Sequence, residues 1–203
     1  MRKAIAAAAL AVGLLSAAGA HAASLFFNFS DADSSIAVLS NGTLCLGNCT
    51  LTAALASPLP TNLEIAEGDE ATFDFGKFHV KGGFGFGNAV LDAVLAFTTP
   101  SPDSGSTLGS AHYVRAGTAR HPGVLGGTLT WDDPVQTFFT AKGSQFTITF
   151  NGLGGFTPGG DATSTVTVHV DSVAVPEPAA WAMMITGFGL AGAILRRRLA
   201  LGV

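Results

Sequence analysis

Five stretches of this chain alternate apolar and polar residues with a period of two, and that alternation restricts the fold more than any other feature. "SLFFNFS" sets Leu25, Phe27 and Phe29 on one face. "ATFDFGKFHVK" alternates Phe73 and Phe75 with Thr72 and Asp74, then Phe78 and Val80 with Lys77, His79 and Lys81. "GGTLTW" opposes Leu129 and Trp131 to Thr128 and Thr130, and "QFTITF" opposes Phe146, Ile148 and Phe150 to Gln145, Thr147 and Thr149. "TSTVTVHV" opposes Val166, Val168 and Val170 to Thr165, Thr167 and His169. Successive side chains of a strand point to opposite faces, so each run reads as a strand with one face buried and one wet. Clusters of Gly, Asn, Asp, Ser and Pro separate the runs, as in "SNG", "TPSPDSGS" and "NGLGGFTPGGDA". Many short strands joined by turns predict an all-β fold, an antiparallel β-sandwich or jelly-roll-like domain rather than a parallel sheet. "NAVLDAVLAF" fits two forms: Val90, Leu91, Val94 and Leu95 share a helical face, while the valine content suits a strand. No repeat of fixed period is present, which argues against a solenoid.

Two hydrophobic elements flank this region. At the start, Arg2 and Lys3 precede an apolar run from Ala4 to Leu15, and Ala20-His21-Ala22 supplies small residues at a cleavage position. Residues 1–22 therefore read as a signal peptide cut after Ala22, with Ala20 and Ala22 as the cleavage residues; the run is short for a retained anchor. Near the end, Ala179 to Leu195 carries no formal charge. At 1.5 Å per residue it makes roughly 25 Å of helix, near the lower limit for a single transmembrane helix. Arg196, Arg197 and Arg198 follow directly and act as a membrane stop that keeps the C-terminus cytoplasmic. A buried core helix would leave those three arginines unexplained. The domains are thus 1–22, the signal peptide; 23–175, the secreted domain; and 176–203, the C-terminal segment.

Charge narrows the partners. Between residues 23 and 175 five Lys and Arg (Lys77, Lys81, Arg115, Arg120, Lys142) face 13 Asp and Glu, so the domain is acidic by about eight charges although the whole chain carries −4. Nucleic-acid binding needs clustered positive charge to displace counterions, and anionic lipid headgroups are disfavoured for the same reason. The only cysteines, Cys45 and Cys49 in "LCLGNCT", read in an exported chain as a disulfide closing a tight loop, with free thiols or transient metal binding as the competing reading. Two thiolates alone do not complete a structural zinc site.

Val175-Pro176-Glu177-Pro178, then Trp181-Ala182-Met183-Met184, then Gly187-Phe188-Gly189 and the arginine cluster, resembles the PEP-CTERM sorting signal, in the variant written PEPxxWA. The resemblance covers about the last 28 residues. It implies a Gram-negative exported protein handled by an exosortase, a membrane-embedded cysteine peptidase or transpeptidase that acts around Pro176-Glu177-Pro178. It also implies transient lodging in the inner membrane through the C-terminal helix, then delivery to the cell surface or extracellular matrix. Proteins of this kind are associated with exopolysaccharide and biofilm. The residues suit such processing: two prolines keep the peptide extended and deny it helical hydrogen bonds, and Trp181 belongs at a membrane interface. A plain anchor with a proline linker is the simpler competing reading.

Within the domain no catalytic motif stands out. Gly-x-Ser-x-Gly is absent, and "GGFGFGN" lacks both the third glycine of a dinucleotide loop and a Gly-Lys-Ser/Thr step. Gly83, Gly85 and Gly87 instead share one strand face, with Phe84 and Phe86 on the other. His79, His112, His121 and His169 form no zinc-binding spacing; His79 and His169 fall on polar strand faces, and His112 and His121 in a turn-rich stretch with Arg115 and Arg120. Asp31, Asp33, Glu67 and Asp69 are candidate calcium ligands, though no acidic cluster matches an EF-hand loop and a solvated face explains them equally. The expected protein is non-catalytic, without a required cofactor: a structural or adhesive surface component with exosortase and exopolysaccharide as partners. A surface glycan hydrolase, which needs two facing carboxylates, and a tethered periplasmic binding module are the alternatives.

Overall fold

A computed structural model describes residues 23–47, 49–118, 121–157, 160–174, 182–190 and 192. The chain divides after Val173 into two units, the first ending there and the second starting at Ala174. In the first, every strand pairing is antiparallel, and the strands form two sheets. One sheet runs β4 (Leu63–Ala66), β1 (Ser24–Phe29), β6 (Phe84–Thr99), β7 (Asp103–Thr118), β8 (His121–Trp131). β2 (Ser35–Leu46) also pairs with β6, beside residues 84–94, while β1 takes the same edge at residues 97–99. The other sheet runs β3 (Thr50–Leu55), β5 (Glu70–Lys81), β11 (Asp161–Ser172), β10 (Gln145–Phe150), β9 (Val135–Phe139). The all-β sandwich expected from the alternation is what the chain forms.

The inward residues of the five runs build the core. Phe27, Phe75, Phe146, Ile148, Phe150, Val166, Val168 and Val170 are buried, as are Leu129 and Trp131. Aromatic rings join the sheets: Phe146 meets Phe27 edge-on at 5.0 Å and Phe97 at 5.5 Å, and Trp131 lies 6.1 Å from Phe150. Edge-to-face pairs at this spacing add to the burial of each ring.

Two departures from strict alternation have physical causes. In β5 the inward set changes parity, from Phe73 and Phe75 to Phe78 and Val80, and the register against β11 shifts between Ser164 and Thr165. One extra residue on β5 absorbs the change, as a β-bulge does. "NAVLDAVLAF" is strand, part of β6: Leu91, Ala93, Leu95 and Phe97 are buried between neighbours, and Val90 points out. Its helical spacing arises because both faces of the strand carry apolar residues.

Two turn readings are corrected and a third is shortened. "SNG" lies inside β2, where the register against β6 shifts between Val38 and Ser40. "TPSPDSGS" gives way to β7 at Asp103, and His112, Arg115 and His121 sit in strands β7 and β8. Glycines in these paired strands stand where an aromatic ring of the neighbouring strand occupies the space a side chain would fill. A Cβ on Gly109 would come within 2.4 Å of the Trp131 ring. Across from Tyr113, at Gly87, a Cβ would meet the phenol ring.

Candidate functional site

The second unit holds the C-terminal segment. Residues 182–190 are helical, and Met183, Ile185, Phe188 and Leu190 are exposed on that helix. Thr186 Oγ1 donates back to the Ala182 carbonyl at 2.6 Å, satisfying its hydroxyl within the helix. Nine residues make about 14 Å of helix, and among the described residues no helix is long and apolar enough to cross a membrane. Pro176, Glu177, Pro178, Trp181, Arg196, Arg197 and Arg198 lie outside the described residues, as do Ala20, Ala22 and Arg120.

In the first unit, Cys45 and Cys49 are disulfide-bonded across the turn from β2 to β3, which carries the chain from one sheet to the other. Asn41 reinforces that crossing: its amide oxygen accepts from Leu51 N at 3.0 Å, and its Nδ2 donates to the Leu51 carbonyl at 3.3 Å. One side chain thus supplies the two bonds a neighbouring strand would make.

The acidic candidates tie loops together. Asp31 accepts from Ser57 Oγ at 2.6 Å and from Leu59 N at 2.8 Å, and these bonds hold its carboxyl below the ordinary aspartate range, the serine contributing most. Asp33 accepts from Ser30 Oγ at 2.7 Å, and Glu67 from Val173 N at 3.3 Å. The Asp69 carbonyl accepts from Val170 N at 3.1 Å. Among the described residues no three His, Cys, Asp or Glu side chains gather as a metal site. His79 Nδ1 and Asp161 Oδ1 are 2.7 Å apart as directly opposed cross-strand residues, and His169 lies 3.7 Å from Asp171. Arg115 points inward, buried, with its guanidinium donating to the Val80 carbonyl. The Tyr113 hydroxyl beside it in β7 is buried without a partner, and desolvation raises its pKa above the usual phenol value.

Sequence reasoning missed the outer face of the first sheet. Leu44 and Leu46 are 77% and 80% exposed, Phe84 and Phe86 56% and 58%. Leu44, Phe86 and Val114 stand directly opposite one another on β2, β6 and β7, and Leu46 stands opposite Phe84. The next row holds Gly42, Asn88, His112 and Thr128. A depression of about 370 Å³ lies between Gly42–Leu44, Phe86–Asn88 and His112. The signal for this face was parity. Once Leu91, Leu95 and Phe97 point inward, Phe84 and Phe86 must share the side of Asn88 and Asp92.

The family model described as the PEP-CTERM protein-sorting motif matches residues 174–198. The chain carries a PEP-CTERM sorting motif. It is therefore an exosortase substrate, exported and sorted to the cell surface. The match takes in Pro176-Glu177-Pro178, Trp181 and the three arginines, the residues that suggested the motif from sequence. No curated protein and no solved structure matches the chain.

Proposed function

We propose that the β-sandwich of this PEP-CTERM protein is a non-catalytic structural or adhesive component of the extracellular matrix, released from the inner membrane by exosortase and held among exopolysaccharide. The observation that carries the reading is the sorting motif at residues 174–198, directly after an all-β, disulfide-bonded domain. The use of the carboxylates supports it: Asp31, Asp33, Glu64 and Glu67 each accept a hydrogen bond that fixes a strand or loop. The helix exposing Met183, Ile185 and Phe188 suits an apolar surrounding before cleavage.

The test replaces Pro176, Glu177 and Pro178 with alanine and follows the protein by cell fractionation. The expected result is a shift from the matrix fraction to the inner membrane, loss of matrix cohesion, and no polysaccharide turnover by the wild-type protein. Matrix delivery of the variant at wild-type level, or measurable turnover, would overturn the reading.

A further inference from the structure

Sorting leaves the exposed apolar outer face of the first sheet unexplained. We infer that it is a self-association surface, on which two copies of the sandwich pack sheet against sheet as a two-fold dimer. This goes beyond the proposed matrix role and stands or falls independently of how the tail is processed.

Charge favours a second copy at this face. The domain carries 13 acidic against five basic residues and repels itself over most of its surface. On the outward positions of β2, β6 and β7, from Phe84 to Val94 and their paired neighbours, Asp92 is the one Asp, Glu, Lys or Arg. Toward the far end of the same face Val90 and Leu108 are also exposed. Apolar patches beyond a few hundred Å² are unusual on a solitary domain.

The area also suits a dimer. Ten residue steps from Phe84 to Val94 span about 34 Å, covered by β2, β6 and β7 over their full length and by β8 as far as Leu91. The flat projection is then on the order of 600 Å², and the accessible surface of a side-chain-studded sheet exceeds its projection. A stable pairing takes about 800 Å² from each partner.

Shape supplies the third argument. A two-fold axis passing over Phe84 and Phe86 and inclined about 15° to β6 sets these two residues against their symmetry mates. Leu44 and Leu46 of one copy then face Val114 of the partner subunit. Gly42, which has no side chain to fill the depression beside Asn88, faces His112 of the partner subunit, and the exchange is reciprocal, as a two-fold requires. Aligned sheets cross at about 30°, so the Asp92 ends diverge instead of meeting.

The experiment uses the protein recovered from cells. Light scattering across a concentration series should give the mass of two chains at micromolar concentration. Phe86→Asp should raise the dissociation constant at least 100-fold, with circular dichroism unchanged. Phe139→Asp, a substitution on the other sheet, should leave it unchanged. A wild-type protein of one-chain mass at 100 µM would overturn the inference, as would a dimer indifferent to Phe86→Asp. So would a monomer that instead binds a polysaccharide or phospholipid vesicles through Phe86.

Discussion

Replacing Phe146 with alanine tests how the alternating runs are sorted into core and surface. Phe146 has no exposed surface and sits at the hub of the aromatic core, with ring centroids 5.0 Å from Phe27, 5.5 Å from Phe97 and 5.3 Å from Phe138. Truncation removes a fully buried ring and leaves a cavity that neighbours in two sheets cannot fill together, at a cost of about 3–5 kcal/mol. Phe139 is the matched control: its backbone pairs with Gln145, next to Phe146, yet its side chain is 68% exposed. Phe139→Ala should change stability by about 0.5 kcal/mol or less. Urea unfolding followed by tryptophan fluorescence separates them. With a slope of about 2 kcal/mol per M, Phe146→Ala should lower the midpoint by roughly 2 M, and Phe139→Ala by at most about 0.3 M. Equal shifts for the two, or a cost under about 1 kcal/mol for Phe146→Ala, would refute the division of inward and outward phenylalanines.

Three further outcomes follow from single groups. Tyr113→Phe removes a buried hydroxyl that has no partner, so thermal stability should stay level or rise by up to about 2 kcal/mol. Because the folded phenol's pKa is raised, its contribution is complete below about pH 10 and lost as pH climbs through the raised value; the Phe variant should lack that alkaline decline. Asp31→Asn removes a carboxylate whose folded pKa is depressed. The wild-type advantage should be present at pH 7 and vanish as pH falls below about 3.9 and through the folded value, and a difference independent of pH would count against the Ser57 and Leu59 bonds. Replacing Cys45 and Cys49 together by serine should cost at most about 2 kcal/mol in chemical denaturation, since the disulfide closes a loop of only a few residues.

Local alternation made the core legible before any coordinates. Phe27, Phe146, Ile148, Val166, Val168 and Val170 are buried where their parity placed them, because a strand with one wet face records its orientation in every second residue. The phase slip between Phe75 and Phe78 even marked the β5 bulge. β7 was hidden for the opposite reason. Its Gly and Ser content imitates a turn, and part of the cause lies on a neighbouring strand, in the Trp131 ring that leaves no room for a side chain at Gly109. β2 was hidden because it is held by eleven paired positions on β6 and by Asn41 instead of a buried stripe of its own. The exposed face needed the sheet order as well, since only pairing brings Leu44, Phe86 and Val114 into one row. The sorting motif depends on local sequence alone and was legible entire.

The decisive measurement is the intact mass of the protein recovered from the cell surface, with its terminal peptides sequenced. A chain that begins at Ala23 and ends near Pro176-Glu177-Pro178, without residues 179–203, is the result expected of export and exosortase processing. A chain that still ends in Leu201-Gly202-Val203 at the surface would contradict it.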